Sequence, residues 1–166
     1  MAGYGDDDAF AGWLTANGYS LPTGAAVPAV LRQRGALYVD GTYGTRFVGV
    51  RAGGYAQERE WPRSGAAVMG GTVPDDVVPL AVIHASYEAA LQEAREPESL
   101  SIIGSAAERV KREKVEGAVE VEYQAASAGE FAASLLPVMT AVEGLIAPFL
   151  RVDVTGSGIG LWSVGR

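Results

Sequence analysis

The sequence predicts a mainly α protein: a small helical bundle that carries a β-hairpin arm and ends in a flexible C-terminal tail. Three observations predict it. Apolar residues recur at the helical period in four separate stretches. Val119, Val121 and Tyr123 alternate with Glu120 and Glu122, the period of a half-exposed strand, after an Glu116-Gly117 pair suited to a turn. Residues 151 to 166 hold Gly156, Gly158, Gly160 and Gly165 and few apolar groups, so ordering this backbone alone costs more entropy than burial returns. With 166 residues and 48% hydrophobic content, the chain is expected to form one domain over 1–150, including a hairpin at about 105–124, followed by a tail over 151–166.

The first helix is read in "DDDAFAGWLTANG". Asp6 to Asp8 suit its positive end, Phe10, Trp13 and Leu14 form its apolar face, and Gly18 stops it. Three consecutive aspartates point about 100° apart on a helix, so they read as caps rather than as a metal site. A second helix is expected to begin after Thr23, with Val27, Val30, Leu31, Leu37 and Tyr38 as its stripe; Pro28 and Gly35 count against an uninterrupted run. Residues 41–71 are dense in glycine and read as a long ordered connection with a short strand at "RFVGVR". The third helix, in "VPDDVVPLAVIHASYEAALQEARE", has Asp75 and Asp76 as expected caps and Leu80, Ile83, Tyr87 and Leu91 as its core stripe. The last lies in "LPVMTAVEGLIAPFL", with Pro137 in its first turn, Val138, Val142, Leu145, Ile146 and Phe149 on one side, and an end near Pro148.

Composition excludes several function classes. There is no cysteine, hence no disulfide framework and no thiolate metal site, and the default compartment is a reducing one. No run of about 18 apolar residues marks a membrane span, and the acidic N-terminus is unlike a signal peptide. Twenty acidic against thirteen basic residues give a net charge of -7, the wrong sign for a chain that grips phosphate backbones. His84 is the sole histidine and has no partner for base or ligand chemistry, so it reads as a structural residue. "GSGIG" near the C-terminus lacks the G-x-G-x-x-G spacing and the following helix of a dinucleotide site. No catalytic, cofactor-binding or metal residues are assigned, and the protein is not expected to be an enzyme.

Two clusters remain. Arg109, Lys111, Arg112 and Lys114 form the one dense basic run, but glutamates interleave and follow it, so a solvated or subunit-contacting face fits better than a DNA-binding patch. In "QEREWPRSG", Trp61 supplies a large apolar anchor, Pro62 fixes the backbone beside it, and Arg63 can stack or pair with a carboxylate. These three read as the staple of the long connection, with a partner site as the alternative.

In the same order along residues 4 to 150, the acidic N-terminal helix, "YVDGTYGTRFVG", "WPRSG", "VPDDVVPLAV", "VKREKVEGAVEVEY" and "LIAPFL" resemble the head-to-tail adaptor proteins of tailed phages, also called connector or head completion proteins. Sequences of this kind often carry the label DnaT-like single-stranded-DNA-binding. The resemblance implies a helical bundle with a hairpin, assembled as a homo-oligomeric ring, commonly of twelve copies. The ring would lie beneath the portal protein in the virion neck, after assembly in the host cytoplasm. It would dock the next neck or tail protein and let genomic double-stranded DNA pass without tight binding. On this reading Arg109, Lys111, Arg112, Lys114, Val119, Val121 and Tyr123 meet a neighbouring subunit, while Leu161 and Trp162 dock on the portal. The alternative is a DnaT-like replication accessory protein that binds single-stranded DNA. The stretch "AASAGEFAAS" and the glycine-rich tail depart from the family pattern.

Overall fold

A computed structural model describes residues 2–101 and 139–151. Helix α1 spans Asp7–Ala16. Asp6 caps it, its carboxylate accepting from the Ala9 N–H at 2.7 Å, and Asp7 and Asp8 stand in the positive first turn. Phe10, Trp13 and Leu14 are its buried face. Beyond the C-terminal Asn17, Gly18 takes a left-handed φ of 72°.

Helix α2 spans Pro28–Tyr43, later than expected from Thr23. Pro28 occupies its first turn, where the missing N–H costs nothing. Helix α3 spans Leu80–Arg95 and starts after Pro79, so Asp75 and Asp76 lie in the preceding turn and do not cap it. The two helices make the main contact of the molecule, running antiparallel. They meet at Gly35, where an added Cβ would stand 2.1 Å from the Ser86 carbonyl oxygen and 2.8 Å from the Ala90 nitrogen. Ala36, Ala85, Ser86, Ala89 and Ala90 continue this seam of small side chains, all buried. Gly35 therefore does not interrupt α2; it permits the approach that holds α2 in place.

This close crossing corrects the expected stripes. In α2 the buried residues are Leu31, Arg32, Gly35, Ala36, Tyr38, Val39 and Tyr43, while Val27, Val30 and Leu37 are exposed. In α3, Tyr87 and Leu91 are buried as expected, Ile83 is half-buried and Leu80 is 64% exposed. Each helix is buried on two flanks. One cluster joins Phe10, Trp13, Leu14, Leu31, Tyr87, Ala90, Leu91 and Ala94, so α1 covers one side of the pair. On the other side Val39, Tyr43, Val82, Ala85 and Ala89 meet Phe47, Trp61, Ala66, Val142 and Ile146.

That second side is where the architecture departs from expectation. The expected fold, a helical bundle whose β-structure is one hairpin arm, is not what the described residues form. Among the described residues, four α-helices pack with an irregular layer over residues 47–73 that contains two separate antiparallel strand pairs. Strand β1 (Val50–Arg51) pairs with β2 (Arg63–Ser64), and β3 (Ala67–Val68) with β4 (Gly71–Thr72). The layer supplies buried side chains to the core, so it is a structural wall and not a connection laid over finished helices. Helix α4 (Thr140–Ile146) and a 3₁₀ turn (Ala147–Phe149) close the same side. The returning chain is tied to the layer by a Phe47–Leu150 bridge, by the Val48 N–H on the Phe149 carbonyl at 2.9 Å, and by the Arg151 N–H on the Arg46 carbonyl at 2.7 Å. The expected arm at 105–124, Pro137 and Val138, and the tail beyond Arg151 lie outside the described residues.

The seam gives a stability test with an internal control. Gly35→Ala should destabilise the fold by about 1–3 kcal/mol, because the added methyl meets backbone rather than a side chain that can swing away. Gly12→Ala on α1 has nothing within 4 Å of the new Cβ and should stabilise by about 0.5–1 kcal/mol. Chemical denaturation of both variants checks the pair; equal effects would remove the seam from its central place.

Candidate functional site

The nine residues from Gln57 to Gly65 are tied into the fold through Gln57, Arg59, Trp61 and Arg63. Trp61 is 1% exposed, and its ring meets Phe47 and Phe149 edge-on at centroid distances of 5.7 and 5.8 Å. The Trp61–Pro62 bond is cis. The Trp61 N–H donates to the Tyr4 hydroxyl at 3.1 Å, and that hydroxyl donates to Asp40 Oδ1 at 2.5 Å. Arg59 lies alongside, its Nε donating to the Ala2 carbonyl at 2.8 Å and its guanidinium 3.4 Å from Asp40 Oδ2. The N-terminal segment, α2 and the loop are thereby fixed to one another through one buried carboxylate.

Burial pushes the Asp40 carboxyl above its ordinary value of 3.8, against the opposing pull of the Tyr4 hydroxyl, the Arg59 charge and the Glu60 N–H. Burial first, then the Asp40 charge, pushes the Tyr4 hydroxyl far up as well, so it stays a donor across any working pH.

Arg63 is equally internal. Its Nε donates to the Val48 carbonyl at 2.8 Å, its two terminal nitrogens to the Gly49 carbonyl at 2.9 Å and the Glu60 carboxylate at 2.6 Å, and it stands 5.9 Å over the Phe47 ring. A buried guanidinium needs such full pairing. Gln57 laces the loop from within, donating to the Arg59 and Pro62 carbonyls at 2.7 and 2.9 Å and accepting from the Gly53 N–H at 2.8 Å. Trp61, Pro62 and Arg63 thus sit together as a staple. Tyr4, Asp40, Gln57 and Arg59 complete it, and sequence reading missed them; the alternating charges of "QEREWPRSG" were the available signal.

The staple is one case of a wider pattern. Eight arginines and thirteen carboxylates fall among the described residues, with no lysine. Arg32 binds Asp7 and the carbonyls of Tyr4 and Gly5; Arg34 pairs with Glu93; Arg51 binds the Gln57 carbonyl. Arg46 and Arg95 stand over the rings of Tyr43 and Tyr19, and Arg151 donates to the Gly49 carbonyl. Every described cation is engaged within the chain.

His84 is half-buried, its ring 6.3 Å from that of Trp13 and 6.1 Å from that of Tyr87, a packing position. Among the described residues no group of three His, Cys, Asp or Glu could hold a metal ion, and no helix is long and apolar enough to cross a membrane. Arg109, Lys111, Arg112, Lys114, Val119, Val121, Tyr123, Leu161 and Trp162 lie outside the described residues.

Residues 4–164 match a family described as "Putative DnaT-like ssDNA binding protein", and the chain belongs to that family. No curated protein and no solved structure matches it.

Two measurements probe the staple. Trp61→Ala should lower stability by about 3–5 kcal/mol, the cost of emptying a large buried ring site. For Asp40 the raised folded value means that the native state holds its proton more tightly than the unfolded chain does. Its contribution to stability is therefore greatest at low pH and falls as pH rises from 3.8 through the raised folded value. The stability of the parent relative to Asp40→Asn, measured by denaturation at a series of pH values, should decline over that window; a gap that widened with pH would reverse the assignment.

Proposed function

We propose that this member of the putative DnaT-like family is a structural virion protein: a subunit of a ring below the portal that joins a phage-like capsid to its tail and extends the DNA channel. The observation that carries the reading is the arginine inventory. Thirteen carboxylates face eight arginines among the described residues, and Arg32, Arg59 and Arg63 are buried and paired with carboxylates, so the described surface carries net negative charge rather than a basic track for a phosphate backbone. An acidic wall repels DNA weakly along its whole length and lets it slide. The adaptor resemblance of the segments that follow in the same order from the N-terminal helix to "LIAPFL" supports the same reading.

In such a ring Val119, Val121 and Tyr123 would bury one face against a neighbouring subunit, and Leu161 and Trp162 would dock on the portal, weak single contacts gaining strength from about twelve copies. The family description favours a second reading, a single-stranded-DNA-binding replication accessory protein, in which Arg109, Lys111, Arg112 and Lys114 would have to supply the contacts.

The two readings separate in one set of measurements. At about 0.15 M salt, gel shifts with single-stranded and duplex DNA should show no submicromolar binding. Native mass measurement of the protein with its portal should show a ring, and a chain lacking residues 153–166 should keep its melting temperature but fail to join. Submicromolar binding to single strands, with no ring on the portal, would establish the accessory reading instead.

A further inference from the structure

The turn between β3 and β4 carries a residue that its own geometry disfavours. Val68 pairs with Gly71, so Met69 and Gly70 make up the whole turn, and both take left-handed φ, 52° and 81°. Asn-Gly fits a two-residue turn of this hand, whereas a methionine there is strained. Met69 buries nothing in return, being 92% exposed. A strained residue that holds an unburied apolar side chain out from a hairpin tip points to a contact with another molecule. Residues 64–74, "SGAAVMGGTVP", hold no charged side chain in a chain of net charge -7. Acidic copies repel where their carboxylates face, and this neutral hairpin is a place at which two of them can touch. Elsewhere among the described residues, an open groove of about 540 Å³ has Leu37, Tyr38 and Leu100 on its wall, with Arg34 and Glu98 beside them. Leu37 is 46% exposed and belongs to the outer face of α2, where Val27 and Val30 also stand unburied.

We propose that Met69 of one copy seats in the Leu37–Leu100 groove of the next. The hairpin is joined to the N-terminal end of α3 through residues 73–79, whereas the groove lies by Glu93, near the other end, and by Glu98 and Leu100 beyond it. Leu80 and Glu93, at these two ends, stand about 20 Å apart along the helix. Tip and groove are thus different patches at separate places, and such patches join copies head to tail rather than about a two-fold axis. Head-to-tail contacts close into a ring when the rotation between copies permits, so the contact supplies a joint for the ring proposed above and rests on that reading for its closure. An unbranched thioether side chain suits the task, because it adapts to an irregular groove with a mixed apolar and polar wall. The neutral tip brings no carboxylate to the Glu98 side of that wall.

The cysteine-free chain allows the contact to be trapped. The double variant Met69→Cys, Leu37→Cys, with the portal present and oxidised glutathione as the oxidant, should give a ladder of disulfide-joined copies that ends at a closed ring. Met69→Cys with Gly12→Cys, an open position on α1, should cross-link at least about tenfold more slowly, since nothing holds that pair together. Two further variants separate the contact from folding. Met69→Asn turns the tip into Asn-Gly and should hold or raise the melting temperature, yet weaken association between copies at least about tenfold. Leu37→Asp, at an exposed helix position, should weaken association likewise while the chain stays folded. Copies joined through Met69→Cys alone, closure within one chain, cross-linking no faster than the control, or Met69→Asn rings as tight as the parent's would each overturn the contact. A ladder that grows without closing supports the contact and removes the ring; a closed ring without the ladder keeps the ring and overturns the contact.

Discussion

Everything in the described structure depends on how closely α2 and α3 approach at Gly35. With the Ser86 carbonyl oxygen where a Cβ would stand, the pair packs backbone to backbone along a seam of glycine, alanine and serine. Small residues in a seam contribute little apolar area each, so the pair needs its flanks covered to be stable. Both flanks are covered, by α1 on one side and by the 47–73 layer with α4 on the other. The close approach sets the requirement, and the aromatic residues Phe10, Trp13, Phe47 and Trp61 meet it from outside the pair.

Covering a helix pair with an irregular layer raises a polar problem that a third helix would not. A loop pressed on a core brings carbonyls and N–H groups that no regular ladder satisfies. Here arginines satisfy them. Arg63 serves the Val48 and Gly49 carbonyls, Arg51 that of Gln57, Arg59 that of Ala2, and Arg32 those of Tyr4 and Gly5. Each is charge-balanced by a carboxylate, Glu60, Asp40 or Asp7. Cations spent in this way are no longer available to a polyanion, which links the way the loop is held to the kind of surface the molecule presents.

Elements whose signals are local were legible in the sequence. Asp6 as a cap, Phe10, Trp13 and Leu14 as a face, and Tyr87 and Leu91 as buried positions follow from spacing alone. Of the stripe assigned to α2, Leu31 and Tyr38 are buried, but Val27, Val30 and Leu37 are not, because a hydrophobic count ignores that a close crossing selects for small size and put Gly35 and Ala36 inside. Arg32 is buried for a reason no periodicity carries, its carbonyl partners lying 27 and 28 residues away. A short strand was legible at "RFVGVR", where β1 lies, but β2, β3 and β4 were hidden by being two residues long, too short to show alternation. Trp61 and Pro62 could be read as an anchor, but Tyr4 and Asp40 could not, because their meeting spans 36 residues and depends on the fold they help to hold.

The charges divide along the chain in a way that bears on both functional readings. All eight described arginines are committed to the scaffold, while both lysines, Arg109 and Arg112 fall within a span of six residues. Carboxylates outnumber arginines thirteen to eight among the described residues, and in the basic run the adjoining Glu108, Glu113 and Glu116 dilute the positive charge. Among the described residues, Arg32, Arg59 and Arg63 are therefore spent on holding the fold rather than on presenting charge to a ligand.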